Sequence, residues 1–267
     1  MATKKTTEAV GFVIQAPEIR GLEAVIVGVA PIILHGMGPS VRKAMYETVT
    51  KRKSAGREAK QPFQEWKECL YWTKKGELAI KAQVIQKAMV RGCDLIEGMK
   101  MIKAKRTWIV SGVEDSKFIP LLVANGGKPV MREDVKKLPR GGADLRYRAE
   151  VEEWFCRFRI DFLHPNLKAS QILNILGYAG VGGIGDERPE RSGGVNGRFR
   201  VADSKEQKIK GQPALMRKDL DNGFRPEVVS DVGSPAFSFA HMDEAEQEAK
   251  QEAKQEVLVV DAKDQAG

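Results

Sequence analysis

Between Gly177 and Val201 the segment GYAGVGGIGDERPERSGGVNGRFRV interleaves glycines with Arg188, Arg191, Arg198 and Arg200. Glycine admits positive φ and leaves neighbouring main-chain N–H groups unobstructed, and arginine offers a planar fork of donors that fits a phosphate or a base edge. Together the two residue types predict an anionic guest. Gly180, Gly182 and Gly185 satisfy the spacing G-x-G-x-x-G, but a dinucleotide-binding turn follows a strand and opens a helix. Here the apolar run Ile172, Leu173, Ile175, Leu176, Ala179 has helical spacing and precedes the glycines, while Pro189, more glycine and the alternation Phe199, Val201 follow. No Gly-Lys-Ser/Thr closes the loop, which excludes a nucleotide-hydrolysing P-loop. The competing reading is a long glycine-rich connection whose charges are simply solvated.

A second basic group is Arg146, Tyr147 and Arg148, two cations flanking an aromatic ring. That composition suits clamping a backbone while stacking a base, each stack being worth about 1–3 kcal/mol; the alternative is a strand edge with solvated arginines. Lys103, Lys105 and Arg106 stand at the start of an expected strand, as a groove wall or as ordinary solvated charge. Cys69, Cys93 and Cys156 are odd in number with no C-x-x-C pair, only His35, His164 and His241 accompany them, and no carboxylates have ligand spacing. No disulfide framework, metal or other cofactor is expected.

The elements that must position these residues belong to a chain of 267 residues, 42% hydrophobic, long enough for one large or two small domains with a real core. No apolar run approaches the roughly 20 residues of a membrane span, and Met1 to Glu8 lacks the apolar region of a signal peptide, so a cytoplasmic location without membrane contact is expected. The net charge is +8, unevenly placed. His241 to Gly267 carries eight Asp/Glu against three Lys, a net of −5, which leaves +13 on residues 1–240. Such a body attracts polyanions at long range. The tail, with its Glu-Ala-Lys-Gln repetition, reads as a solvated helix or spacer, or as a competitor for a basic groove and a recruiter of protein partners.

Leu22 to Ala30 reads as a buried strand ending at Pro31, and Ser40 to Arg57 as a basic helical insertion with few apolar positions. Pro62 opens a helix carrying Phe63, Trp66 and Leu70. Leu78 to Lys81 is extended and Gln83 to Ile96 is an amphipathic helix. Thr107 to Val113 and Phe118 to Val123 are strands expected to pair as a hairpin across Glu114 and Asp115. A loop holds Met131 to Asp134 and the Arg140-Gly-Gly turn. Trp154, Cys156, Phe158, Ile160 and Phe162 alternate with Arg157, Arg159 and Asp161 in a half-exposed strand, then Leu167 to Tyr178 is a helix and Arg198 to Ala202 the last core strand. The order βαββαβ predicts an α+β, ferredoxin-like or RNA-recognition-motif core, with two helices on one sheet face and the other face open to single-stranded nucleic acid. Residues 1–203 form this core, with the basic helical insertion near 40–75; residues 204–267 form an extension that lies over the core or is partly disordered, ending in an acidic, partly disordered or helical tail.

A helix running into Gly180-Val-Gly-Gly-Ile-Gly-Asp-Glu-Arg-Pro, followed by Gly193-Gly-Val-Asn-Gly-Arg-Phe, resembles the RAMP superfamily, whose members form the RNA-binding backbone of CRISPR surveillance complexes. The likeness spans roughly Leu22 to Ala202. The turn from Pro31 to Gly36, Arg132-Glu-Asp and Asp144-Leu-Arg-Tyr-Arg are also similar to a group of bacteriophage-encoded proteins of this type, which would place the chain in host cytoplasm. The resemblance implies that Gly182, Gly185, Arg188, Arg191 and Arg198 lie near phosphate and that copies stack into filaments along one strand. Since some relatives activate a ribose hydroxyl with a histidine, it makes His35 a candidate acid–base residue; Asp115 and Asp134 lie where cleaving relatives keep an aspartate. The chain departs from the family pattern in the insertion around Arg42 to Lys60 and in everything after Asp203.

The function expected is therefore a non-enzymatic module that binds single-stranded RNA or DNA and self-assembles along it. The alternatives are an endoribonuclease cutting through His35 or a loop aspartate, and a phage structural or assembly protein with no nucleic-acid affinity.

Overall fold

The computed structural model describes residues 16–51, 60–137, 142–164 and 166–230. The chain opens with β1 (Glu18–Gly28) and β2 (Ile32–Leu34), then helices α1 (Pro39–Lys51) and α2 (Pro62–Glu68). β3 (Tyr71–Trp72), β4 (Leu78–Lys81), α3 (Ala82–Gly92) and the short α4 (Met101–Ala104) lead to β5 (Trp108–Gly112), β6 (Phe118–Pro120) and β7 (Leu122–Val123). β8 (Val130–Lys137), β9 (Ala143–Val151) and β10 (Phe155–His164) precede α5 (Ala169–Gly182), α6 (Pro189–Ser192) and β11 (Phe199–Val201). β12 (Gln212–Pro213), α7 (Arg217–Asp221) and β13 (Val228–Ser230) complete an α+β fold.

The main sheet places β11, β1, β10 and β5 side by side, every pair antiparallel. Its inner face follows from the alternation in β10. Leu22, Ala24 and Ile26 stand opposite Ile160, Phe158 and Cys156, and Trp108 and Val110 opposite Phe162 and Ile160. All belong to one apolar core, which α3 closes with Ile85, Ala88 and Met89 and α5 with Ile172, Ile175, Leu176 and Ala179. Burying each large apolar side chain contributes about 1.5–3 kcal/mol, so this layer fixes where α3 and α5 sit. Gly180 brings α5 onto β11: a Cβ there would lie 2.1 Å from the Phe199 carbonyl oxygen.

The outer face carries Glu23, Arg157, Arg159 and Asp161 with exposed Ile19 and Ile109. One end of it is covered. Val25, Phe155 and Ala202 form a small separate cluster, Gly211 lies against the Phe155 ring, and the Gln207 carbonyl accepts from Arg157 at 2.6 Å. The expected open sheet therefore presents arginines and isoleucines but no aromatic ring for stacking, because its one ring, Phe155, is buried.

Two further sheets flank this layer, β13-β8-β9-β2 and β3-β4-β6. Two sequence expectations are corrected here. Residues 107–113 and 118–123 do not pair with each other: β5 takes the edge of β10, β6 pairs with β4, and β7 pairs with β10 and β12. The segment Met131 to Asp134 is a strand, part of a long antiparallel ladder from Val130–Glu150 to Lys137–Ala143. Asp115 closes a turn, its Oδ1 accepting from the Lys117 amide at 2.9 Å.

Residues 204–230 pack onto the body, with Ala214 and Leu215 inside the main core and β12 and β13 extending two sheets. Arg140 and Gly141 of the expected turn, Arg52, Lys53 and Arg57 of the insertion, and the acidic tail lie outside the described residues. Among the described residues no helix is long and apolar enough to cross a membrane.

Candidate nucleic-acid interface

The glycine-rich segment after α5 folds onto β2 through main-chain bonds. The amides of Gly183, Ile184, Asp186 and Gly197 donate to Ala179, Gly197, Ile33 and Pro31 carbonyls, at 3.0, 2.9, 2.9 and 2.6 Å. Gly185, at φ +83°, faces the Ile33 carbonyl at a distance no Cβ would tolerate. These glycines therefore serve a tight internal turn, and the expected row of amides open to phosphate is corrected to a compact loop. Glu187 adopts φ +53°, the left-handed region, which costs a non-glycine residue roughly 1–2 kcal/mol. Its carboxylate is held by Lys136 and, at 3.2 Å, by Arg148.

Docking this loop on β2 leaves a cleft of about 310 Å³ between the loop and α3. Its walls carry Lys81, Lys87 and Arg91 from β4 and α3, Arg188 and Arg191 from the loop, and His35 with Asp186 at one end. Among the described residues Glu190 is the carboxylate paired with these arginines: its Oε1 lies 2.7 Å from Arg91 Nε and its Oε2 accepts from Arg188 Nε at 3.1 Å. Arg91 Nε is buried and, despite that proximity, makes no hydrogen bond. Burial, together with the charges of Arg188 and Arg191, holds the Arg91 guanidinium below its ordinary pKa. Three arginines thus crowd one another, a state an anion relieves. A second cleft, about 490 Å³, shares Lys81 and adds Lys105 and Lys117. Among the described residues Lys87, Lys105, Lys117 and Arg191 have no carboxylate within ion-pair distance.

The arginine group at 146–148 is different. Arg148 is fully buried: its Nε donates to Asp134 Oδ2 at 3.0 Å, and Nη1 to Asp186 Oδ2 at 2.7 Å and to Glu187. Arg132 binds the other oxygen of Asp134 at 2.9 Å and Glu150 at 2.7 Å. Burial works against the Arg148 charge, but Asp134 and Asp186 raise its pKa on balance. Tyr147 is buried as well, beside Glu133, and only Arg146 stays partly open, with Nε 3.3 Å from Asp144 Oδ2. The clamp expected of Arg146, Tyr147 and Arg148 is therefore corrected to an internal ion-pair cluster, because β8 supplies carboxylates opposite the arginines. Asp134 is likewise a buried structural partner.

This cluster reaches the cleft through Asp186. His35 Nδ1 lies 3.0 Å from Asp186 Oδ2, and against an ionised carboxylate that nitrogen is the donor. The hydrogen bond from His35 lowers the Asp186 pKa, burial opposes it, and Arg148 adds to the lowering. The imidazole is 41% exposed, so a partner the sequence did not reveal orients a histidine at the end of a basic cleft.

Of the other expected contacts, Gly185, Arg188 and Arg191 line the main cleft, and Lys105 lines the adjoining one. Arg106 and Arg198 are exposed but line neither, the Arg198 Nε donating to the Val195 carbonyl. Gly182 belongs to the end of α5 and a different hollow. Lys81, Lys87, Arg91 and Lys117 went unnoticed, although Gln83, Lys87 and Arg91 recur at i, i+4, i+8 and so mark the polar stripe of α3. Among the described residues no group of three His, Cys, Asp or Glu side chains is placed to hold a metal ion. No protein-family model matches the chain, and no curated protein matches it.

Proposed function

We propose that this protein binds single-stranded nucleic acid without cutting it, gripping the phosphate backbone along the track from Lys105 and Lys117 through Lys81 to Lys87, Arg91, Arg188 and Arg191, with copies of the chain aligned along the strand. The observation that carries the reading is the row of cations lining two clefts that share Lys81, of which Lys87, Lys105, Lys117 and Arg191 have no carboxylate within ion-pair distance among the described residues. A narrow, curved lining of lysine and arginine side chains suits a flexible unpaired strand, whose charges lie close enough to meet several of them at once. The strand order β11-β1-β10-β5 with α3 and α5 on one face is in keeping with a ferredoxin-like plan and lends support to the likeness to RAMP proteins. The binding lies beside the glycine-rich loop instead of on the open sheet, which lacks exposed aromatic rings.

The test is fluorescence anisotropy with labelled oligo(dT) and oligo(U) across a salt series. Log affinity is expected to fall by about 0.7 per log unit of salt for each phosphate neutralised, and Lys87→Ala and Arg191→Ala are each expected to reduce that slope and weaken binding to all sequences alike. Affinities untouched by both substitutions refute the track; filaments in electron micrographs of the saturated complex test the alignment of copies.

The His35–Asp186 pair favours one second reading, an endoribonuclease. Asp186 fixes Nδ1 as the protonated nitrogen, leaving Nε2 able to accept a proton from a ribose 2′-hydroxyl, which would attack the adjoining phosphorus as the 5′-oxygen leaves. Cleavage of RNA but not DNA, abolished in His35→Ala, would establish it; intact RNA after prolonged incubation leaves binding alone.

A further inference from the structure

Among the described residues, helix α1 meets the body chiefly at its start. Its side chains from Val41 to Thr50 are exposed wherever they are described, Glu47 alone being half-buried, with Tyr46 at 69% and Val49 at 81%. It is tied down at its start, where Glu68 accepts hydrogen bonds from the Ser40 hydroxyl and, at 3.2 Å, from the Ser40 amide. Burial raises the Glu68 pKa, but the bonds from Ser40 and Gln64 outweigh it and keep the carboxylate ionised at a helix N-terminus. A helix of this length rich in Val and Thr is marginal in water by itself, so α1 gains most from being covered.

The composition of its surface says by what. Arg42 and Tyr46 are i and i+4, Lys43 and Tyr46 i and i+3, so an aromatic ring stands between two cations on one face. Val41, Met45 and Val49 continue the apolar character beside it. Arg146, Tyr147 and Arg148 have the same combination of residue types, but on α1 it is open to solvent. The site is continuous with the basic cleft: a hollow lined by Gly36, Gly38, Ser40 and Val41 shares His35 with it.

We infer that α1 is an arm that lies along the same single strand as it leaves the cleft at His35, with Arg42 and Lys43 on phosphates and Tyr46 stacked on a base. The inference rests on the cleft reading above. An unpaired strand is the occupant because it alone offers phosphate charge and bare base faces side by side.

The experiment compares Tyr46→Ala, the pair Arg42→Gln with Lys43→Gln, and the cleft substitution Arg191→Ala, all in the full chain. The exposed positions leave the core intact, which unchanged melting checks. Tyr46→Ala is expected to weaken oligo(dT) and oligo(U) about 5- to 150-fold, one lost base stack. The double substitution is expected to lower the salt slope by about 1.4, two phosphates at roughly 0.7 each. Bound oligonucleotide should also slow tryptic cleavage after Arg42 and Lys43 in the wild type. If Arg191→Ala weakens binding while both α1 variants match the wild type, the arm is refuted and the cleft stands. If no variant and no oligonucleotide shows any effect, both fall. Unchanged affinity together with a lower particle mass for Val41→Ser with Val49→Ser would also refute the arm, since α1 would then dock a second copy.

Discussion

The cluster around Arg148 and the cleft beside the glycine-rich loop use the same residue types and touch through Asp186, yet their charges are matched in opposite ways. In the cluster, Arg132 and Arg148 meet Asp134, Glu150, Asp186 and Glu187, and each guanidinium is saturated by carboxylates. In the cleft, Arg91 and Arg188 share Glu190, while Lys87 and Arg191 belong to no ion pair among the described residues. Buried charge must be paired to be tolerated; charge at the rim of a cleft is tolerated by water and remains available to a ligand. Arginine content therefore says nothing about role until the carboxylates are placed.

The contrast is broken most severely by Arg148→Met. It takes one partner from each of three carboxylates and is expected to cost about 3–5 kcal/mol in urea unfolding, whereas joint replacement of Arg148 and Asp134 by apolar residues should cost less than the sum of the single changes. Acid is a gentler probe of the same region. Because the Asp186 pKa is depressed in the folded state, its contribution is fully present above the ordinary aspartate range, near 4, and is lost as pH falls below it toward the folded value. Stability of the wild type should fall over that window, and less steeply in His35→Ala, where one of the bonds lowering that pKa is gone. In the cleft the expectation reverses: Lys87→Ala and Arg191→Ala should change stability by no more than about 0.5 kcal/mol while lowering the salt dependence of oligonucleotide binding. The smallest effect is a rate. Cys69 donates to the Tyr147 carbonyl at 3.3 Å beside the cluster, and burial pushes its thiol up to about 12. It should resist alkylation at pH 8 in the wild type and react measurably faster in Arg148→Met; equal rates would show that the cluster does not hold this region closed.

Much of the main sheet was legible because its buried positions are apolar. The alternation Cys156, Phe158, Ile160, Phe162 marks β10, and the helical spacings of Ile85, Ala88, Met89 and of Ile172, Ile175, Leu176 mark α3 and α5. The β8–β9 ladder was hidden for the same reason: its inward positions include Asp134, Arg148 and Glu150, so the polar residues that signal a loop are here a paired interior. The pairing of β5 with β10 in place of residues 118–123 was equally hidden, since strand partners are chosen by shape and register across the whole sheet and not by neighbourhood in sequence.

For the site, the chain by itself determined a basic body, a helix ending in a glycine-rich loop, and a stock of arginines suited to anions, all of which follow from composition and local periodicity. Which arginines face solvent was decided only when β8 was laid against β9 and the loop against β2. That docking gave Arg148 its carboxylates, gave His35 its aspartate and left Lys87 and Arg191 without ion-pair partners among the described residues. Charge compensation is a relation between residues far apart in sequence, so no local pattern carries it.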